Sequence, residues 1–175
     1  DMYDKKKLEE LKKSYNPGFS IQKLIEAKKL FTRASRNREL NLAYKDINSL
    51  EGLQQFEAKD WYNSLNLSGK YITHIPKDIL NDFKRLKKLD FEGNQISSID
   101  PLAFSQLNSL AELNLRYNEL SYLDPVVIKN MIDNNIPVTV LDVSNNKLAR
   151  ENIEEIKKIL PEVTIIIGGV FPTYH

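Results

Sequence analysis

Leu86-Lys87-Lys88-Leu89-Asp90-Phe91-Glu92-Gly93-Asn94-Gln95-Ile96 is the stretch on which the reading of this chain turns. Apolar residues stand at its first, fourth, sixth and eleventh places, and an asparagine at its ninth. Leu110-Ala111-Glu112-Leu113-Asn114-Leu115-Arg116-Tyr117-Asn118-Glu119-Leu120 repeats all of these features. Val138-Thr139-Val140-Leu141-Asp142-Val143-Ser144-Asn145-Asn146-Lys147-Leu148 does so again, with valines among the apolar residues. Self-similarity at a fixed period outranks local propensity as a guide to fold.

Weaker copies flank these three. Tyr62 to Ile72 keeps the apolar frame but has Lys70 in the asparagine place. Asn37 to Ile47 has Lys45 there and lacks the first apolar residue. Leu160 to Val170 keeps the frame with Gly168 at the asparagine place. Starts at 37, 62, 86, 110, 138 and 160 are 25, 24, 24, 28 and 22 residues apart. The frame L-x-x-L-x-L-x-x-N-x-L at this period resembles the leucine-rich-repeat family. The resemblance implies an α/β leucine-rich-repeat solenoid, with parallel short strands on a concave face and helices or turns on the convex one. The expected organisation is an N-terminal helical cap over 1–36, about six repeats over 37–170, and a short tail, 171–175.

Alternation along a strand sends Leu89 and Phe91 inward and Lys88, Asp90 and Glu92 to solvent. The resemblance implies that each asparagine closes the turn after its strand, so Asn94, Asn118 and Asn146 should stack into a ladder. Behind the strands, Pro101 should open a turn or a short helical segment and Phe104 fill the core. Residues 125–136 should form a helix and a turn, which accounts for the interval of 28. Asn152, Ile153, Ile156, Ile159 and Leu160 follow helical spacing, with Glu151, Glu154, Glu155, Lys157 and Lys158 as the wet face.

A repeat array needs caps at its ends. Lys5 to Tyr15 is a charged helical stretch with Leu8 and Leu11 on one side, broken by Asn16-Pro17-Gly18. Ser20 can cap a second helix, whose stripe Ile21, Leu24, Ala27, Phe31 and Ala34 should pack on the first repeat. At the other end, Val163 to Ile167 is an apolar run, with the tail Phe171-Pro172-Thr173-Tyr174-His175 to cover it. An uncovered apolar edge strand invites association, so a monomer or a weak homodimer through this edge is expected.

Composition excludes several chemistries. The chain has 175 residues, no cysteine, two histidines (His74 and His175) and a net charge of +1. Thiol nucleophiles, disulfides and cysteine-ligated zinc are therefore out. No glycine-rich phosphate loop, zinc motif or serine elbow occurs, so neither enzyme activity nor a cofactor is expected. Asp90, Glu92, Glu112 and Asp142 share a surface, but an open wet face desolvates them too little to split their pKa values for acid–base work. Lys84, Arg85, Lys87 and Lys88 cluster, yet carboxylates stand beside them, so nucleic acid is not the expected partner. No apolar run approaches the ~20 residues of a membrane span. The basic start, Asp1 to Lys7, leads into no apolar region, so no signal peptide is expected.

The resemblance implies recognition of a protein through the concave face. Its solvent-facing strand positions supply the candidates: Glu39, Asn41, Ala43 and Tyr44; Ser64, Asn66, Ser68 and Gly69; Lys88, Asp90, Glu92 and Gly93; Glu112, Asn114, Arg116 and Tyr117; Val140, Asp142, Ser144 and Asn145. Arg116 and Tyr117 stand out, since arginine and tyrosine are over-represented among binding hot spots. The missing cysteines, where secreted members of the family usually carry cysteine-rich caps, tilt the expected location to the cytosol. That location includes a host cytosol, because the family contains bacterial effectors. An endogenous adaptor and a ligase-free effector both remain open at this stage.

Overall fold

The computed structural model describes residues 2–14, 18–69 and 71–168. The expected break at Asn16-Pro17, Lys70 and the tail expected to cover the last strand lie outside them. In chain order the elements are α1 (Met2–Ser14), β1 (Phe19–Ser20), α2 (Ile21–Glu26), β2 (Glu39–Asn41), β3 (Ile47–Ser49), β4 (Ser64–Asn66), β5 (His74–Ile75), β6 (Lys88–Asp90), β7 (Ser98–Ile99), β8 (Glu112–Asn114), α3 (Pro125–Asp133), β9 (Val140–Asp142), α4 (Arg150–Ile159) and β10 (Thr164–Ile166). Among the described residues no helix is long and apolar enough to cross a membrane.

Each copy of the frame contributes one three-residue strand to a six-stranded parallel sheet, ordered β10-β9-β8-β6-β4-β2. The register is the sequence repeat itself: Leu40, Leu65, Leu89, Leu113 and Leu141 stand in line across five strands. They are buried, as are Leu42, Leu67, Phe91, Leu115 and Val143 two places on. Leu50, Leu53, Phe83, Phe104 and Leu107 close the core from the convex side. Parallel strands need a crossover between them, and here the convex segment of each repeat is that crossover.

The sixth copy departs from its expected frame. Ile165, not Val163, pairs in line with Leu141. Gly168 accepts from the Asn145 amide, as Ser144 does from Tyr117, so it sits at the seventh place and not the ninth. The copy therefore starts at residue 162, 24 residues after Val138. Both frames put Val163, Ile165 and Ile167 on the inner face, because a shift of two residues keeps the alternation of the strand. Hydrogen bonding to β9 decides between them.

On the convex side Asp124 caps α3 by accepting from the Val126 amide, with Pro125 in the first turn. In α4, Ile153 and Ile156 face the core and the charged residues face water. Asn152 is buried too, since its side chain accepts from the Leu123 amide and donates to the Leu123 carbonyl, at 2.7 and 2.8 Å. Two short parallel pairs, β1 with β3 and β5 with β7, form a second level of pairing that the sequence does not announce.

The N-terminal cap is half a repeat. Strand β1 pairs with β3, and the Gln22 amide donates to the Glu51 carbonyl, so 18–26 copies the convex half of the repeat that follows. Ser20 caps α2 by accepting from the Lys23 amide. The helix is shorter than the expected stripe. Ile21, Leu24 and Leu30 are buried, whereas Ala27 and Ala34 are exposed and Phe31 is 76% exposed. The chain leaves helical geometry at Lys28, whose φ is 59°, and turns Phe31 out of the stripe. Leu8 and Leu11 of α1 are also exposed, not buried in the cap. Farther on, the Tyr62 hydroxyl accepts from the Ser35 amide at 3.1 Å, which ties the cap's last segment to the second repeat.

Candidate functional site

Asn94, Asn118 and Asn146 lie beneath the concave face and are 5–6% exposed. Each bonds its own repeat and the preceding one. Asn94 accepts from the Ile72 amide and donates to the carbonyls of Leu67 and Phe91. Asn118 accepts from Ile96 and donates to Phe91, Leu115 and Arg116. Asn146 accepts from Leu120 and donates to Leu115, Val143 and Ser144. The Phe91 and Leu115 carbonyls are shared between successive asparagines, which makes the three a continuous chain. Lys45 holds the corresponding place in the first copy, whose strand β2 has no earlier strand beside it in this sheet among the described residues.

A second row runs along the solvent side. Asn41, Asn66, Asp90, Asn114 and Asp142 hold the fifth place of five copies. In each, one side-chain oxygen accepts from the backbone amide two residues on: Ala43, Ser68, Glu92, Arg116 and Ser144, at 2.8–3.0 Å. This is the Asx turn, in which a short side chain replaces a backbone acceptor. It bends the chain out of the strand toward the left-handed residues Tyr44, Gly93, Tyr117 and Asn145 at the eighth place. The turn also fixes which atom faces outward. Asparagine is left with its amide donors, and aspartate with its second oxygen.

The sheet curves around a groove of about 660 Å³. Of the expected binding residues, Asn66, Lys88, Asp90, Glu112, Asn114 and Asp142 line it, together with Glu39, Ser64 and Val140. Tyr44, Glu92, Arg116, Tyr117 and Asn145 do not. They stand along the ridge where the strands turn away. Tyr44 and Tyr117 are 74% and 50% exposed there, with the Arg116 guanidinium 4.8 Å from the Tyr117 ring centre. Ser68 and Ser144 were expected to face solvent and are instead buried, because their hydroxyls fold back onto the Asn66 and Asp142 oxygens. Asn63, Lys87 and Ile166 line the groove without having been singled out. The signal for the first two was their shared second place, and for Ile166 it lay hidden by the two-residue frame shift.

Charge is distributed by row. On one flank Lys88 faces Glu112 at 3.8 Å, and on the other Arg116 faces Glu92 at 3.9 Å. Such exposed pairs add little stability, but they neutralise the flanks. The carboxylates of Asp90 and Asp142, in the midline, have no ion-pair partner among the described residues. Away from the groove, burial and the neighbouring Glu155 and Asp124 carboxylates raise the Tyr122 phenol above its usual value. Among the described residues no group of three or more histidine, aspartate or glutamate side chains is placed to hold a metal ion.

Residues 63–120, which include the strands β4, β6 and β8, match the family described as leucine rich repeat. Over these residues the chain is a leucine-rich-repeat protein, and its fold is the leucine-rich-repeat solenoid. Solved structures share the fold. An LRR protein of Leptospira interrogans is 28% identical, with a TM-score of 0.58 over 72% of this chain and 30% of its own. A chain of the TLR13–ssRNA13 complex is 20% identical, with a TM-score of 0.60 over 78% of this chain and 22% of that one. A chain of the Drosophila melanogaster SNF/U2A′ complex is 19% identical, with a TM-score of 0.57 over 71% of this chain and 69% of that one. This leucine-rich-repeat protein thus spans less than a third of the first two relatives. No curated protein matches it by sequence. The repeat fold is commonly a protein-binding scaffold and generally a non-enzymatic one.

Proposed function

We propose that the chain is a protein-recognition module that binds its partner in the concave groove, without catalysing a reaction. One observation carries the reading. The groove is lined by side chains whose orientation the fold has already set, through the Asx turns of its midline. Preorganised polar groups lose little freedom on binding, which is where recognition surfaces gain affinity. The nucleic-acid alternative, raised by the RNA in one neighbouring complex, is disfavoured by the unpaired carboxylates along the groove floor. Phosphate contacts need cations there.

The test uses Ser64→Arg with Val140→Arg, two groove residues whose side chains make no hydrogen bond to the fold. Affinity capture with wild type and the double variant, read by quantitative mass spectrometry, should yield a protein that the variant loses. Proteins recovered equally by both would refute the groove reading.

The far edge of the sheet supports a second reading. Strand β10 pairs on one side with β9, and Ile166 is 42% exposed. Self-association through this edge predicts concentration-dependent mass in analytical ultracentrifugation, abolished by Ile166→Lys. A single monomeric species throughout would eliminate it.

A further inference from the structure

We infer that the groove's occupant is an α-helix carrying two cationic residues seven positions apart, followed by an apolar residue three or four positions later. This rests on the protein-recognition reading and names the partner's chemistry. The argument is charge complementarity and spacing. Of the charges that line the groove, Lys88 pairs with Glu112 and Lys87 offsets Glu39 in sign, while Arg116 pairs with Glu92 on the ridge. The midline keeps two carboxylates, Asp90 on β6 and Asp142 on β9, each with one oxygen engaged in its turn. Their remaining oxygens therefore accept from whatever lies in the groove. Asn114, on the strand between them, spends its oxygen on the Arg116 amide and presents donors. One strand beyond Asp142, the same row ends in Ile166, paired with it in register.

Adjacent strands lie about 4.8 Å apart, so the two carboxylates are about 10 Å apart and Ile166 about 14 Å from Asp90. An extended chain laid across the strands repeats a given face about every 6.7 Å, so it comes close to the second distance but misses the first, which falls between one repeat and two. A helix rises about 1.5 Å per residue, so residues seven apart lie about 10.5 Å apart and residues ten apart about 15 Å. Those positions share one face of a helix. Cation, cation and apolar residue then meet Asp90, Asp142 and Ile166 in order, and a polar acceptor three or four residues after the first cation meets Asn114.

The test is fluorescence anisotropy with a labelled alanine- and glutamine-based peptide of about 18 residues, with arginines seven apart and a leucine placed for Ile166. The control has the same composition with its arginines five apart, on opposite sides of the helix. Asp90→Asn and Asp142→Asn are the informative variants. Asparagine keeps the oxygen that closes the turn and replaces only the outward acceptor with a donor. The seven-spaced peptide should bind about tenfold tighter than the control, and each variant should remove about that factor while leaving the urea midpoint unchanged. Equal binding of both peptides, no binding of either, or indifference to both variants would overturn the inference. If the peptide fails while a captured protein is still lost from the Ser64→Arg, Val140→Arg protein, the basic helix is wrong and protein recognition stands. Preference for a single-stranded RNA oligonucleotide would overturn both.

Discussion

At the scale of single residues, two kinds of Asx side chain hold the three repeats that begin at 86, 110 and 138, and they respond differently to mutation. Asn118 is buried and serves one backbone amide and three carbonyls. Asn118→Ala should cost about 1–3 kcal/mol, because it strands buried polar groups, and Asn118→Asp should cost more than its size suggests, because a carboxylate cannot donate. Urea denaturation measures both. Asn41 stands in the solvent-facing row, where one oxygen is all that the turn requires and the residue in register beside it is Asn66. Asn41→Asp should therefore leave stability nearly unchanged, and Asn41→Ala should cost about 0.5–1.5 kcal/mol, the worth of one ordinary hydrogen bond. Equal losses from the two Asn41 variants would mean that the turn does not depend on that oxygen. The ladder was legible because the ninth place is filled by asparagine in three strong copies. The second row was equally visible, as Asn or Asp at 41, 66, 90, 114 and 142. Its turn bonds are not legible there, since a solvent-facing polar residue carries no mark of an intrachain bond.

At the scale of elements, termini and junctions carry the stability that the repeat pattern does not. Asp124 accepts from the Val126 amide at the start of α3, so Asp124→Ala should lower stability by about 0.5–2 kcal/mol. Gly52 joins the cap to the array. Its φ is +102°, and a Cβ there would lie 2.5 Å from the Gln22 nitrogen, the atom that donates to Glu51. Gly52→Ala meets both a forbidden backbone region and a backbone clash, and should displace α2 from Leu53. Hydrogen exchange would report this as lost protection across 18–30 with little change in β8 or β9. Uniform loss throughout would show instead that the cap and the array fold as one unit. The expected second helix was too long because Ala27, Phe31 and Ala34 continue an apolar spacing past the point where the backbone turns. Periodicity registers apolar residues and is blind to a left-handed residue such as Lys28.

At the scale of the whole molecule, stability in a repeat array is a sum of repeats and the interfaces between neighbours. A central repeat has two such interfaces and a terminal one has fewer. Leu113, 1% exposed on β8 with strands on both sides, should cost about 2–5 kcal/mol when changed to alanine. Ile165, half-buried on the edge strand β10, should cost clearly less. Chemical denaturation of the two variants checks the order, and its inversion would mean that β10 is anchored by more than β9.

The sequence by itself determined the repeat, its period, the parallel strands and the asparagine ladder. These are local, and one eleven-residue frame specifies them each time it recurs. The tertiary structure alone decided the frame of the last copy, since Val163, Ile165 and Ile167 suit either register until β9 selects one. It also decided which solvent-facing residues line the groove and which stand on the ridge, and that Ser68 turns inward. Those outcomes depend on how successive strands curve past one another and on where each turn leaves the sheet. Hydrogen bonds between neighbouring repeats set that curvature, and no single repeat contains it.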